Sequence, residues 1–415
     1  NRGGRPVGSH FISVHPKQDS LEFVSPVTNF DLKNNIINSH QVYFIKVADA
    51  TVFPGDGELV VISKAQMQTL KNARIIADNE FKYHNFFTST VNIFGAKEYN
   101  GSGNYNYIDE NGRKQEIYYE LIAVDTGMHT YAKGKISESR KFQLSPYFDF
   151  FGEVKLYATK KNLDFSGYAR IAHDCNQLPI RWVKFEEEID PMEIYIPIPE
   201  EPQDQNRNDL YAGIMMNTDS THIFSTFLSP NKRYSDLYIL TASKYLYFDK
   251  NAKKYIISSK EKIKDFELPG NYLDIHRTFC NLYGEGTIDL NAKLGQLKYT
   301  TVGNINHVLS KDKVNLDVMM ALDFFFDIPL MQYIADTLVS AYQLTGVNMQ
   351  RSVYKKGLKE LIGNEKAEAL IREASLFGTY KKLPPELEHT ILLTDLKMEW
   401  NNETSSYRSV GKIGI

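Results

Sequence analysis

Gly152-Glu153-Val154-Lys155-Leu156-Tyr157-Ala158, followed by Leu163-Asp164-Phe165-Ser166-Gly167-Tyr168, is a phrase that this chain uses twice. The second copy reads Gly284-Glu285-Gly286-Thr287-Ile288-Asp289-Leu290-Asn291-Ala292, then Leu297-Lys298-Tyr299-Thr300-Thr301-Val302-Gly303. In each copy a glycine opens an alternating stretch, a polar turn follows, and a second alternating stretch closes on glycine. Apolar–polar alternation has the period of a half-buried strand. Repetition of one strand–turn–strand unit implies a stacked or rolled β-structure, an architecture that binds or scaffolds more often than it catalyses.

Working outward, short β-branched and aromatic clusters recur from Leu21 onward, for example Val42-Tyr43-Phe44-Ile45, Leu59-Val60-Val61-Ile62 and Ala73-Arg74-Ile75-Ile76-Ala77. Turn residues such as Pro54-Gly55-Asp56-Gly57 separate them. Asn111-Gly112, between Tyr105–Ile108 and Glu116–Val124, is a strong hairpin signal, because both turn positions need positive φ. Asp249-Lys250-Asn251-Ala252 predicts another hairpin, between Tyr238–Phe248 and Lys254–Ile257. The final third changes period. Leu330, Ile334, Leu338 and Ala341 fall at helical spacing behind Pro329. Asn364 reads as the N-cap of a second helix, Glu365–Phe377, whose apolar face is Ala367, Leu370, Ile371 and Ala374 and which stops at Gly378. The expected class is therefore mainly β, with β-solenoid or β-jelly-roll repeats and a small inserted helical pair.

The same signals predict a division of the chain. Residues 1–20 read as a connector and 21–195 as a β-roll module. Residues 196–209 read as a linker, because Pro197, Pro199 and Pro202 cannot occupy a central strand. A second β-roll module is expected over 210–317, a helical insertion over 318–382, and a further β element over 383–415. The opening Asn1-Arg2-Gly3-Gly4-Arg5-Pro6 and the closing Val410–Ile415 read as cut ends of a longer protein.

The 415 residues, 42 % hydrophobic and 24 % charged, have the composition of a soluble globular chain. Net charge is −3 with no long basic block, which argues against nucleic acid as the main partner. No apolar run reaches the roughly 18 residues of a membrane-spanning helix, since Asp323 and Asp327 interrupt the longest one.

Chemistry-bearing residues are sparse. His173-Asp174-Cys175 pairs a thiol with an imidazole, but strand neighbours point to opposite faces. His276 and Cys280, four apart, would share a helix face without further metal ligands. Cys175 and Cys280 are the only cysteines. They could form one bridge, but two buried thiols are the expectation. Glu186-Glu187-Glu188 with Asp190 lacks calcium-loop spacing and reads as a solvated edge. Asp323 and Asp327 at i and i+4 would share one helix face. Phosphate-binding loops, zinc-protease motifs and nucleophile elbows are absent, and neither a catalytic residue, a metal nor a cofactor is assigned. The candidate apolar groove wall is Val154, Leu156, Leu163 and Phe165 with Ile288, Leu290, Leu297 and Tyr299. A dry packed core is the commoner fate of such side chains.

The stretch from Leu237-Tyr238-Ile239-Leu240-Thr241-Ala242-Ser243 through Phe248-Asp249 to Tyr255-Ile256-Ile257-Ser258-Ser259 resembles the repeat of the OstA-like (organic-solvent-tolerance) lipopolysaccharide-transport proteins. There a small residue precedes an aromatic-Asp turn and a returning strand; the two glycine-bracketed phrases are similar to it. The resemblance implies a periplasmic β-jelly roll or twisted β-solenoid whose apolar groove shields lipid chains. The overall style also resembles large envelope proteins of the Bacteroidota. The implied function is a non-catalytic scaffold in the cell envelope, periplasmic or associated with the outer membrane. It would support export or lipid escort, with an envelope protein complex and lipid as partners. Two alternatives accompany it: a solenoid that binds or cleaves polysaccharide, and a surface adhesin or structural module.

Overall fold

A computed structural model describes residues 8–415. The first seven residues of the expected connector lie outside the described residues. The chain is mainly β, with 48 % of residues in strands and 14 % in helices, and its sheets are open. It divides into two compact units. One takes the chain up to Ala169 together with Phe185–Ile194; the other takes Arg170–Lys184 and Tyr195–Ile415.

The first unit is built on one long sheet in which neighbouring strands run antiparallel, nearly in chain order. The hairpin forms at Asn111-Gly112, but of the two residues only Gly112 takes positive φ, 76°. Strands Glu98–Ile108 and Lys114–Val124 pair from Ile108↔Lys114. Asp109 closes the turn by accepting from the backbone N–H of Asn111 (2.9 Å) and Arg113 (3.0 Å). The first copy of the repeated phrase becomes strands Phe148–Tyr157 and Leu163–Arg170, neighbours in this sheet. Its glycines serve close packing. A Cβ on Gly167 would lie 2.3 Å from the Phe151 carbonyl oxygen and 2.7 Å from the Gly152 Cα.

This sheet curls strongly. Tyr107 and Phe165 lie four strands apart along it, about 19 Å in a flat sheet. Yet their rings meet edge to face at 5.8 Å. Phe150 contacts Phe165 at 5.0 Å, and the Tyr107 hydroxyl donates to the Leu144 carbonyl at 2.9 Å. The concave face therefore closes on its own aromatic side chains. A second, four-stranded sheet orders Val27–Asp31, Ile36–His40, Leu59–Ile62 and Gln66–Met67. Residues 8–20, expected as connector, are partly structured: Ser9–Ile12 pairs with Glu22–Ser25 at the edge of the long sheet.

The second unit layers a large, mostly antiparallel sheet between a small sheet and helices. The second repeated phrase gives strands Asn281–Ile288 and Lys298–Val308, paired with Gly286 opposite Gly303. On one face lie strands Ile223–Ser229, Tyr211–Met216 and Leu237–Thr241, which form a three-stranded sheet. The Ser225 hydroxyl of that sheet meets His307 Nδ1 at 2.8 Å. The expected strand Tyr238–Phe248 is divided. Leu237–Thr241 joins the small sheet, and Lys244–Asp249 joins the large one and turns at Asp249 into Lys254–Ser258.

Four helices occur among the described residues: α1 (Lys260–Lys264), α2 (Ile328–Ser340), α3 (Ser352–Ile362) and α4 (Asn364–Phe377). The two expected helices are α2 and α4. The N-cap of α4 is Gly363 and not Asn364, while Gly378 takes the left-handed C-cap as expected. The packing helix is the unexpected α3, whose Tyr354, Leu358 and Ile362 form a core with Val302 and Met319 of the sheet. Gly357 permits the approach, since a Cβ there would lie 2.9 Å from the Met319 sulfur. In contrast, α2 buries none of its residues.

Residues 196–209 are not free chain. Ile196–Ile198 is an edge strand on Lys244–Asp249, a position that tolerates Pro197. Residues 318–323 belong to strand Lys313–Asp323, which pairs with Ile391–Asn401.

Candidate functional site

The eight residues of the expected apolar wall belong to different units. Val154, Leu156, Leu163 and Phe165 lie in the first and are buried; Ile288 and Leu290 are buried in the second, where Leu297 and Tyr299 are half-buried. The Tyr299 hydroxyl donates to Asp289 at 2.9 Å. The structure places six of the eight in cores, with exposures of 0–6 %.

The reactive clusters are occupied by structural work. Cys175 and Cys280 are not free thiols but a disulfide across 105 residues, with Cα atoms 4.9 Å apart. The bridge has a local cause: the Asp174 N–H donates to the Arg277 carbonyl at 2.8 Å and docks one loop on the other. No thiolate remains for nucleophilic chemistry. His276 ends strand Tyr272–His276 and shares no helix with Cys280. Its Nδ1 accepts from the Thr278 and Phe279 N–H groups, at 3.1 and 3.3 Å. His173 is buried, and burial pulls its pKa down.

Asp323 and Asp327 do not share a helix face. Asp323 ends a strand and meets His389 Nδ1 at 3.0 Å, whereas Asp327 caps α2 by accepting from the Leu330 N–H at 3.1 Å. In the acidic run, Glu188 pairs with Lys160 at 3.1 Å on a strand. No group of three or more His, Cys, Asp or Glu among the described residues is placed to hold a metal ion. No described helix is long and apolar enough to cross a membrane.

An apolar cleft of about 540 Å³ in the first unit has the geometry of a binding site. Strands Ser9–Ile12 and Glu22–Ser25 supply one wall, where Phe11 and Phe23 stand opposite each other with rings stacked at 5.0 Å. The four-stranded sheet supplies the other through Phe30, Ile37, Val61 and Met67. Leu21, Phe23, Val61 and Met67 are buried. At the rim Ile12 is 54 %, Phe30 54 % and Val14 98 % exposed, so apolar surface continues out of the cleft into water.

Local chemistry holds the walls. His15 caps the short turn Pro16–Gln18 by accepting from the Lys17 N–H. Lys64 and Ala65 both take positive φ, 64° and 58°, and turn Leu59–Ile62 into Gln66–Met67. The Gln18 side-chain amide then donates to the Ala65 carbonyl and ties the two walls together. Lys64, exposed at this turn, is a cation beside an apolar channel. Nothing in the sequence singles out Phe11, Phe23 or Phe30, because the cleft arises only when separate strands pair.

No family model matches the chain, and comparisons with curated proteins and with solved structures return no match.

Proposed function

We propose that this chain is a non-catalytic β-scaffold of a cell-envelope protein, an open β-roll whose first unit holds an apolar chain such as the acyl tail of a lipid. The observation that carries the reading is the cleft between Phe11–Phe23 and Ile37–Val61. Its volume of about 540 Å³ falls within the roughly 300–1,000 Å³ typical of ligand pockets. Each methylene withdrawn from water into it contributes about 0.8 kcal/mol. Exposed Ile12, Val14 and Phe30 leave the rim of the cleft open to solvent, as loading from a membrane or a partner complex requires. Lys64 at the rim suits an anionic headgroup.

The disulfide supports an oxidising compartment, such as the periplasm or the outer surface. That agrees with the resemblance to lipopolysaccharide-transport repeats.

The test is titration of the purified chain with cis-parinaric acid, a fluorescent fatty acid. The expected result is saturable binding that palmitate competes away. Phe30→Asp at the exposed rim should weaken it by about tenfold, a charge placed against an acyl chain. A signal that does not saturate, or that Phe30→Asp leaves unchanged, would remove the proposal.

A further inference from the structure

We propose that a basic cleft in the second unit binds an acidic polysaccharide, a hydroxyl-rich chain bearing carboxylates. The cleft has a volume of about 910 Å³ and is lined by Arg170, Arg181, Arg207 and Lys232 together with Trp182 and Tyr211. These cations come from four separate places in the chain and converge in a protein whose net charge is −3. Local concentration of one sign in a concave site focuses the field on an incoming anion.

Two of the cations are held in place by aromatic rings. The Arg170 guanidinium lies 4.3 Å from the Trp182 ring centroid. The Lys232 ammonium lies 5.4 Å from Tyr211 and 5.1 Å from Tyr238. Cation–π seating of this kind orders a long side chain. Arg207 is presented differently. Asp204 accepts from the Asn206 and Asn208 N–H groups at 2.8 and 2.9 Å, and from the Asn208 side-chain amide at 2.9 Å. This tight turn puts Arg207 at φ 64° on its outer side.

The two carboxylates in the lining are already engaged. Asp204 is committed to its own turn: burial pushes its pKa up, but the Asn208 and Asn206 donors and the charge of Arg181 outweigh that and hold it below the ordinary value. Asp209 accepts from the Gln203 amide at 3.2 Å. Counted by residue type, four cations against two carboxylates give the lining its excess of positive charge.

The neutral lining decides among anions. Gln205, Asn206 and Asn208 stand exposed between the cations, and their amides can both donate to and accept from hydroxyls. Guanidinium forks match carboxylates two-pronged. A single-stranded nucleic acid needs open aromatic faces on which bases stack. Here Trp182 is only 8 % exposed and already carries Arg170. An alternating array of carboxylates and hydroxyls is the better complement.

The experiment is isothermal titration of the full chain with an oligogalacturonate of about six sugars. Neutral dextran fragments and a single-stranded DNA hexamer serve as comparisons. The expected result is saturable oligogalacturonate binding that weakens as salt rises, no dextran binding, and DNA binding at least tenfold weaker. The exposed pair Arg181→Ser and Arg207→Ser, combined, should weaken oligogalacturonate binding by at least about tenfold through loss of charge-assisted hydrogen bonds. Absence of oligogalacturonate binding, full binding by the double variant, or DNA binding as tight as the sugar would overturn the proposal. The site lies in the other unit from the apolar cleft, so neither result depends on fatty-acid binding.

Discussion

The ammonium of Lys262 lies 2.8 Å from a carboxylate oxygen of Glu285, and the two side chains are only 1 % and 6 % exposed. Lys356 of α3 reaches the same carboxylate at 3.1 Å, and the Tyr283 hydroxyl donates to it at 2.9 Å. One buried carboxylate thus joins α1, the sheet and α3. Removing it takes the carboxylate from buried Lys262 and leaves Lys356 only Glu267, at 3.6 Å, the arrangement in which a broken buried pair costs about 3–5 kcal/mol. Glu285→Gln should lower stability by that order in urea denaturation. An unchanged denaturation midpoint would show that the network does not hold α3 to the sheet.

His307 gives the second unit an acid sensitivity with a defined sign. Burial pushes its pKa down to about 4 from an ordinary 6.5. Ser225 faces its Nδ1, and Asp312 lies 3.7 Å from its Nε2, beyond hydrogen-bonding reach. Below about pH 6.5 the unfolded chain takes up a proton that the folded chain refuses until about pH 4. The contribution is complete above that window and is lost as pH falls through it. His307→Gln should flatten the dependence of the urea midpoint on pH between 6.5 and 4. A slope equal to that of the parent protein would contradict the assignment. In the first unit His84, buried and lowered in pKa for the same reason, should act in the same direction.

Gly167 tests the packing of the repeated phrase. A Cβ there would lie 2.3 Å from the Phe151 carbonyl oxygen, whereas one on Gly346 would meet nothing within 4 Å. Gly167→Ala should therefore prevent the hairpin from closing and unfold or strongly destabilise the first unit. Gly346→Ala should stay within about 0.5 kcal/mol of the parent, as an open surface position does. Equal melting temperatures for the two variants would show that the close approach has no energetic consequence.

The disulfide makes a similar demand on the second unit. Cys175 and Cys280 close a loop of 105 residues, and loss of a native bridge costs about 2–5 kcal/mol. Changing both cysteines to Ser should lower the melting temperature, and reductant should lower that of the parent but leave the variant unmoved. A parent insensitive to reductant under unfolding conditions would speak against the bridge.

Features encoded by local chemistry were legible in the sequence. The turns at Asp109–Gly112 and Asp249–Ala252 lie at the expected positions, the first with positive φ at Gly112 but not at Asn111, and α2 and α4 follow their apolar spacing. Features that depend on distant partners were not. Helix α3 carries Lys355, Lys356, Lys359 and Glu360, and reads as polar until Glu285, 71 residues away from Lys356, takes up its charge. The cysteine pairing needed the docking of Asp174 on Arg277, which no spacing announces. Neither cleft has a linear signature. The apolar one takes side chains from six strands and the turns between them, and the basic one takes single cations from four places. The expected groove wall follows from alternation alone, and alternation marks buried faces, so six of its eight residues lie in the cores.

The central claim is that the cleft beside Phe11 and Phe23 holds an acyl chain. Photo-crosslinking with a diazirine-bearing fatty acid, followed by peptide mass spectrometry, tests it most directly. Adducts within residues 9–37 and 59–67, competed away by palmitate, are the expected result. The exposed apolar surface of Phe325, Ile328, Tyr333 and Val339 around α2 is the competing location. Adducts confined there, or no adduct that palmitate removes, would contradict the account.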